Sequence, residues 1–174
     1  MAERRLWDSI NTINDGFAVF DAGHRLVAAN SAYVSSFDAE SLDPGLPYAD
    51  LLSRLARSGT VDIGSDVPEC WVNTMLARWD AEHIEPLTLQ FRNGSWIRIV
   101  DRRARDGDMV SLAIDITEQM RIWAAIEAIP DGFVLFDREE RLLTCNQHYR
   151  EMFPDSAPAM IPGVSFEDLL RHGL

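Results

Sequence analysis

Cysteine is scarce. The 174 residues hold two, Cys70 and Cys145, too few and too far apart for a disulfide scaffold, which fits a reducing compartment such as the cytoplasm. Long apolar runs are missing as well. No stretch approaches the roughly 20 residues of a membrane span, and the opening Met-Ala-Glu-Arg-Arg lacks the apolar centre of a signal peptide. Positive charge is in deficit, with a net charge of −12. Nucleic-acid surfaces need clustered Lys and Arg, so that class is excluded. Arg102, Arg103 and Arg105 form the only local basic cluster. Asp101, Asp106 and Asp108 interleave with it, so a solvated strand face is expected there. Catalytic signatures are absent too: no G-x-x-x-x-G-K-[ST], no G-x-S-x-G, no H-E-x-x-H and no C-x-x-C. The four histidines, His24, His83, His148 and His172, lie far apart in the chain. No catalytic residue and no metal ligand is assigned.

What the chain does contain is a long repeat. Trp7-Asp-Ser-Ile-Asn-Thr-Ile-Asn-Asp-Gly-Phe-Ala-Val-Phe-Asp21 returns as Trp123-Ala-Ala-Ile-Glu-Ala-Ile-Pro-Asp-Gly-Phe-Val-Leu-Phe-Asp137, a shift of 116 residues (132 − 16, from Gly132 and Gly16). Arg25/Arg141, Leu26/Leu142, Asn30/Asn146, Tyr33/Tyr149 and Phe37/Phe153 keep the same shift. After a two-residue slip, Pro44-Gly45 answers to Pro162-Gly163. Solenoid repeats run to about 20–50 residues, so this period is a whole domain used twice. The second copy reaches Leu174, where the first has covered only residues 53–56, and is expected to be the opening part of a domain.

Local patterns give the elements. Leu6, Trp7, Ile10 and Ile13 form one apolar stripe on a short helix. Phe17-Ala-Val-Phe20 is an unbroken apolar strand, and Asp21-Ala-Gly23 turns it into a second strand over residues 24–29. Helices are expected over residues 30–37 with Asn30 as N-cap, 49–57 ending near Gly59, and 68–83. Leu87-Thr-Leu-Gln-Phe91 and Ser95-Trp-Ile-Arg-Ile-Val100 flank Asn93-Gly94, a strong hairpin signal. A last strand runs over residues 109–116. Asp115-Ile-Thr-Glu118 then opens a helix, with acceptors for its free N–H groups at Asp115 or Thr117 and Glu118 placed for a capping box. Two strands, several helices and three hairpin-linked strands make an α+β domain with an antiparallel sheet.

These motifs in this order resemble a tandem pair of PAS domains. The resemblance rests on Asp-Gly-Phe-x-x-Phe-Asp, Arg-Leu-x-x-x-Asn-x-x-Tyr, Asn-Gly-Ser-Trp-Ile-Arg-Ile with its Asp-Gly hairpin, and the closing Asp115-Ile116-Thr117-Glu118. It implies a five-stranded antiparallel sheet with helices on one face, flanked by an N-terminal helix and a C-terminal linker helix. The expected division is an N-terminal amphipathic helix over residues 1–14, a first PAS-like domain over 15–117, a signalling helix over 118–130 and the start of a second domain over 131–174. The flavour is that of the input region of a bacterial sensor histidine kinase.

The implied function is a cytoplasmic sensory module. It would pass the state of a ligand or partner through Asp115, Thr117 and Glu118 into the signalling helix, and on to an output domain beyond Leu174. A ligand-free dimerisation scaffold in a diguanylate cyclase or transcription regulator is the alternative. Leu6, Trp7, Ile10 and Ile13 are the candidates for a homodimer contact. Trp71, Asn73, Met75 and Trp79, with Trp96 opposite, either fill a core or line a cavity for a small organic ligand. Flavin is disfavoured, because Cys145 precedes Asn146 rather than standing in the Asn-Cys-Arg-Phe-Leu of flavin-binding light sensors. Cys70 has the wrong neighbours and is expected to be a buried thiol. Haem is disfavoured because His83 falls near the end of its helix, where a solvated side chain is expected. The cofactor, if any, is left unknown.

Overall fold

The computed structural model describes residues 9–37 and 41–172, in two compact units, residues 1–117 and 118–174. Leu6 and Trp7 lie outside the described residues. Residues 9–11 form a helical turn that precedes the first strand.

In the first unit, β1 (Gly16–Phe20) and β2 (Leu26–Ala29) make a hairpin. The Asp21 carboxylate builds the turn by accepting from the amides of Gly23 and Arg25, both at 2.9 Å, as aspartate does in Asx turns. Three helices follow: α1 (Ser31–Ser36), α2 (Tyr48–Ser58) and α3 (Pro68–Asp80). Gly59 closes α2 with φ +68°, the left-handed cap that glycine adopts without strain. Strands β3 (Leu87–Gln90), β4 (Trp96–Arg103) and β5 (Met109–Asp115) complete an antiparallel sheet of order β2-β1-β5-β4-β3. Gly94 turns β3 into β4 at φ +87°, while Asn93 Oδ1 accepts from the Ser95 amide.

One face of this sheet meets the helices. Ala18, Phe20, Ile97, Ile99, Met109 and Ala113 join Tyr33, Leu51, Leu55, Trp71, Met75 and Trp79 in a single core. Burying an aromatic or branched aliphatic side chain is worth roughly 1.5–3 kcal/mol, so this face carries most of the unit's stability. The alternate residues Phe17, Val19, Val110, Leu112 and Ile114 occupy the other face and are half-buried. The expected five-stranded α+β architecture is the one observed. Helix α3 stops three residues short of the expected His83, because Arg103 of β4 takes the Trp79 carbonyl at its end, as described below.

The second unit repeats the first in part. Helix α4 (Thr117–Glu127) leads into β6 (Val134–Phe136), β7 (Leu142–Cys145), α5 (Gln147–Met152), a 3-10 turn (Ala157–Ala159) and α6 (Phe166–His172). Leu142, Cys145, Met160 and Leu169 form its core, with Val134, Phe136, Tyr149, Ala159 and Val164 against them. Its turn chemistry copies the first unit. Asp137 takes the role of Asp21, the Arg141 guanidinium donates to the Gly163 carbonyl as Arg25 does to Gly45, and Glu140 shares the positive φ of His24, 57° against 59°.

Candidate functional site

Two features of the first unit stand apart from ordinary packing. One is the start of α4. The Asp115 carboxylate accepts from the Thr117 amide at 2.8 Å, capping a helix N-terminus whose amides have no partner within the helix. The Thr117 hydroxyl turns the other way and accepts from the Trp96 amide of β4 at 2.9 Å. The Ile116 amide donates to the Trp96 carbonyl at 2.9 Å. Thr117, the first residue of α4, and Ile116 before it are therefore fixed to the sheet by the two backbone groups of Trp96. Of the three relay residues read from the sequence, Asp115 and Thr117 meet here. Glu118 stands exposed in the helix's first turn.

The other feature is a charge in the core. Asp101 is fully buried. Its carboxylate accepts from Trp79 Nε1 at 3.0 Å and from the Arg78 guanidinium at 3.3 Å. Asp101 Oδ1 and Arg78 Nη1 are buried without a hydrogen-bond partner among the described residues. This corrects the expectation of a solvated strand face at Asp101. Residues alternate along β4, and Asp101 falls in register with the buried Ile97 and Ile99, so it must face inward. Arginines around it hold the end of α3 and the loop after it. Arg103 donates to the Trp79 carbonyl, Arg102 to the Ile84 carbonyl and Arg78 to the Glu85 carbonyl. A cleft of about 290 Å³ lies between residues 81–84 and Asp101, Arg102 and Arg103.

Trp79 is the centre of this region. Tyr48 stacks on it at 3.7 Å between centroids and 1° between planes, and Phe20 and His24 meet it edge-on at 5.2 and 5.1 Å. Tyr33 donates to the Ser111 hydroxyl at 3.3 Å. Burial pushes both phenols, Tyr33 and Tyr48, well above the usual tyrosine range, and the Asp101 charge adds to it.

The cavity candidates separate in space. Trp71, Met75 and Trp79 are buried in the core. Asn73 is exposed, beside a surface cleft shared with Ser53 and Arg57. Trp96 alternates with the buried Ile97 and so occupies the face of the sheet turned away from the helices. Among the stripe residues, Ile10 is half-buried and Ile13 is 49% exposed. Cys70 is exposed, contrary to expectation, since its place on α3 falls with the exposed Asn73, Thr74 and Ala77. Cys145 is buried. His83 lies in the loop after α3, exposed and 3.2 Å from Glu85. Among the described residues no group of three or more His, Cys, Asp or Glu side chains gathers to hold a metal, and no helix is long and apolar enough to cross a membrane.

Sequence reasoning missed Asp101 and Tyr48. The period-two register from Ile97 to Asp101 was the available signal for the first. Tyr48 fell just before the helix expected from residue 49, whereas Pro47 is the N-cap of α2 and Tyr48 its first residue.

The chain is similar to known proteins. The "Non-motile and phage-resistance protein" of Caulobacter vibrioides is 27% identical over 143 residues, which is 70% of this chain and 16% of that protein. A domain of a sensory box sensor histidine kinase/response regulator from Geobacter sulfurreducens matches 65% of this chain and 94% of its own, at 23% identity and a TM-score of 0.40. The PAS domain of Bordetella pertussis BvgS matches 71% of this chain and 93% of its own, at 15% identity and a TM-score of 0.44. The family described as PAS fold matches residues 10–123 and again residues 126–174. By that match, which spans both units, the chain belongs to the PAS-fold family.

Proposed function

We propose that this chain is the sensory part of a cytoplasmic signal-transduction protein, relaying the state of a ligand or partner through α4 to an output domain, most simply a histidine kinase. The observation that carries the reading is the attachment of α4 to the sheet. Asp115, at the end of β5, caps the helix while Thr117 bonds to β4, so a shift of β4 against β5 changes the capping of the helix that follows β5. A cap is worth about 1 kcal/mol, or about fivefold in a two-state equilibrium, enough to bias a finely balanced helix. Asp115→Ala in the complete protein tests this. Output activity should change by about fivefold, or lose its response to stimulus, while the first unit keeps its fold. Unchanged output with an unchanged response refutes the relay.

A second form of the reading draws on the interior. Phe20 meets Tyr33, Tyr48 and Trp79 between sheet and helices, and Tyr48 stacks on Trp79. This filling favours a unit that responds to a partner, including a second copy paired through Leu6, Trp7, Ile10 and Ile13, over one that encloses a small organic molecule. Deleting residues 1–13 should then give a monomer by native mass spectrometry, and a dimer that survives the deletion rejects the stripe as the contact.

A further inference from the structure

Helix α4 has no fully buried side chain, its inner residues Met120, Trp123 and Ile126 being half-buried only. Its last turn is held by polar groups. Asn146 is fully buried, and its side chain makes four bonds. Oδ1 accepts from the amides of Phe133 at 2.8 Å and Tyr149 at 2.9 Å. Nδ2 donates to the carbonyls of Ile126 at 3.3 Å and Asp131 at 3.0 Å. Capping α5 requires only the bond from Tyr149. The other three reach back to the start of β6 and to the end of α4, where the Ile126 carbonyl also accepts from the Ile129 amide at 3.3 Å. Beside it, the Glu127 carboxylate of α4 accepts from the Gln147 amide at 2.8 Å.

The first unit holds the same set at the same offset. Asn30 bonds to Phe17, Tyr33, Ile10 and Asp15, and Asn11 accepts from Ser31 at 3.4 Å. In both units, then, one buried asparagine grips the helical segment that precedes the sheet. At α4 the accessory contact is shorter and is made by a carboxylate.

We propose that Asn146, assisted by Glu127, is the positioning residue through which α4 acts on the second unit. The proposal rests on the relay reading. Asp115 and Thr117 fix the helix's first residue, and Asn146 receives its last turn. Asn146→Asp separates this role from capping. It keeps both acceptor bonds and remains a good N-cap, but it sets a carboxylate oxygen against the carbonyls of Ile126 and Asp131.

The test is hydrogen exchange on the whole chain, read in peptides covering residues 132–136 and 147–152, for Asp115→Ala made in the native and the Asn146→Asp backgrounds. Loosening the start of α4 should speed exchange in both peptides by about fivefold in the native background, and by less than half that factor once the asparagine donor is gone. An equal factor in both backgrounds overturns the role of Asn146 and leaves the relay standing. No effect of Asp115→Ala in the native background overturns the relay itself, and this proposal with it. If Asn146→Asp abolishes protection throughout the second unit, Glu127→Ala takes its place, with the same outcomes and a native fold.

Discussion

Replacing Asp101 with alanine probes the buried charge directly. The substitution removes the acceptor of Trp79 Nε1 and the counter-charge of Arg78, whose side chain is only 18% exposed. Breaking a buried pair by deleting one partner costs about 3–5 kcal/mol, and an orphaned buried donor about 1–3. The residual exposure of Arg78 lets water meet part of its charge, so the lower end, about 3 kcal/mol, is expected. For a unit of about 100 residues this lowers Tm by about 15 °C. The melt is followed by tryptophan fluorescence, since Trp71, Trp79 and Trp96 lie in the first unit. The double variant Asp101→Asn/Arg78→Met leaves the indole an acceptor and removes both charges, so it should regain most of the loss. A fall of less than about 3 °C for Asp101→Ala, or a double variant no better than the single, refutes the claim that this pair is what Asp101 serves.

Three further outcomes are expected. Tyr33 and Tyr48 keep their protons in the native state above pH 10, where the unfolded chain loses them. Unfolding then releases protons, so stability is full below pH 10 and falls above it by about 2.7 kcal/mol per pH unit; all sixteen basic side chains are arginine, so no lysine confuses the titration, and urea unfolding of Tyr33→Phe/Tyr48→Phe should show a flattened slope. Iodoacetamide should label the exposed Cys70 quickly and Cys145 slowly, because Cys145 is buried and burial also raises its thiol pKa; peptide mass spectrometry reads both, and equal rates contradict the burial. Gly16→Ala places a methyl 2.8 Å from Tyr33 Cα and 2.9 Å from Ala113 Cβ, an overpacking that should cost about 1–3 kcal/mol in denaturant unfolding, whereas Gly132→Ala, whose nearest neighbour is the flexible Met152 Sδ, should cost less.

Local patterns in the sequence carried the architecture well. Asn30 was legible as a cap because it precedes an apolar helical stripe, and Asn93-Gly94 as a hairpin because its turn type demands those residues. The repeat placed the counterpart of Asn30 at Asn146. What stayed hidden depends on contacts distant in sequence. Helix α3 ends at Asp80 because Arg103, on β4, takes the Trp79 carbonyl. Asp101 looked solvated because its neighbours in sequence are charged, yet the pleat turns it to the core while Arg102 faces away. The four bonds of Asn146 were likewise out of reach. A cap motif announces one acceptor and says nothing of which carbonyls the amide will seek.

Helix α4 is held by its ends, through Asp115 and Thr117 at one and Asn146 and Glu127 at the other, and none of its side chains is fully buried. Variation along it should therefore be uneven. Natural relatives are free to change the exposed positions 118, 119, 121, 122, 124 and 125 while the four anchors persist, and those positions become the ground on which related proteins diverge in what the helix touches without altering how it is attached.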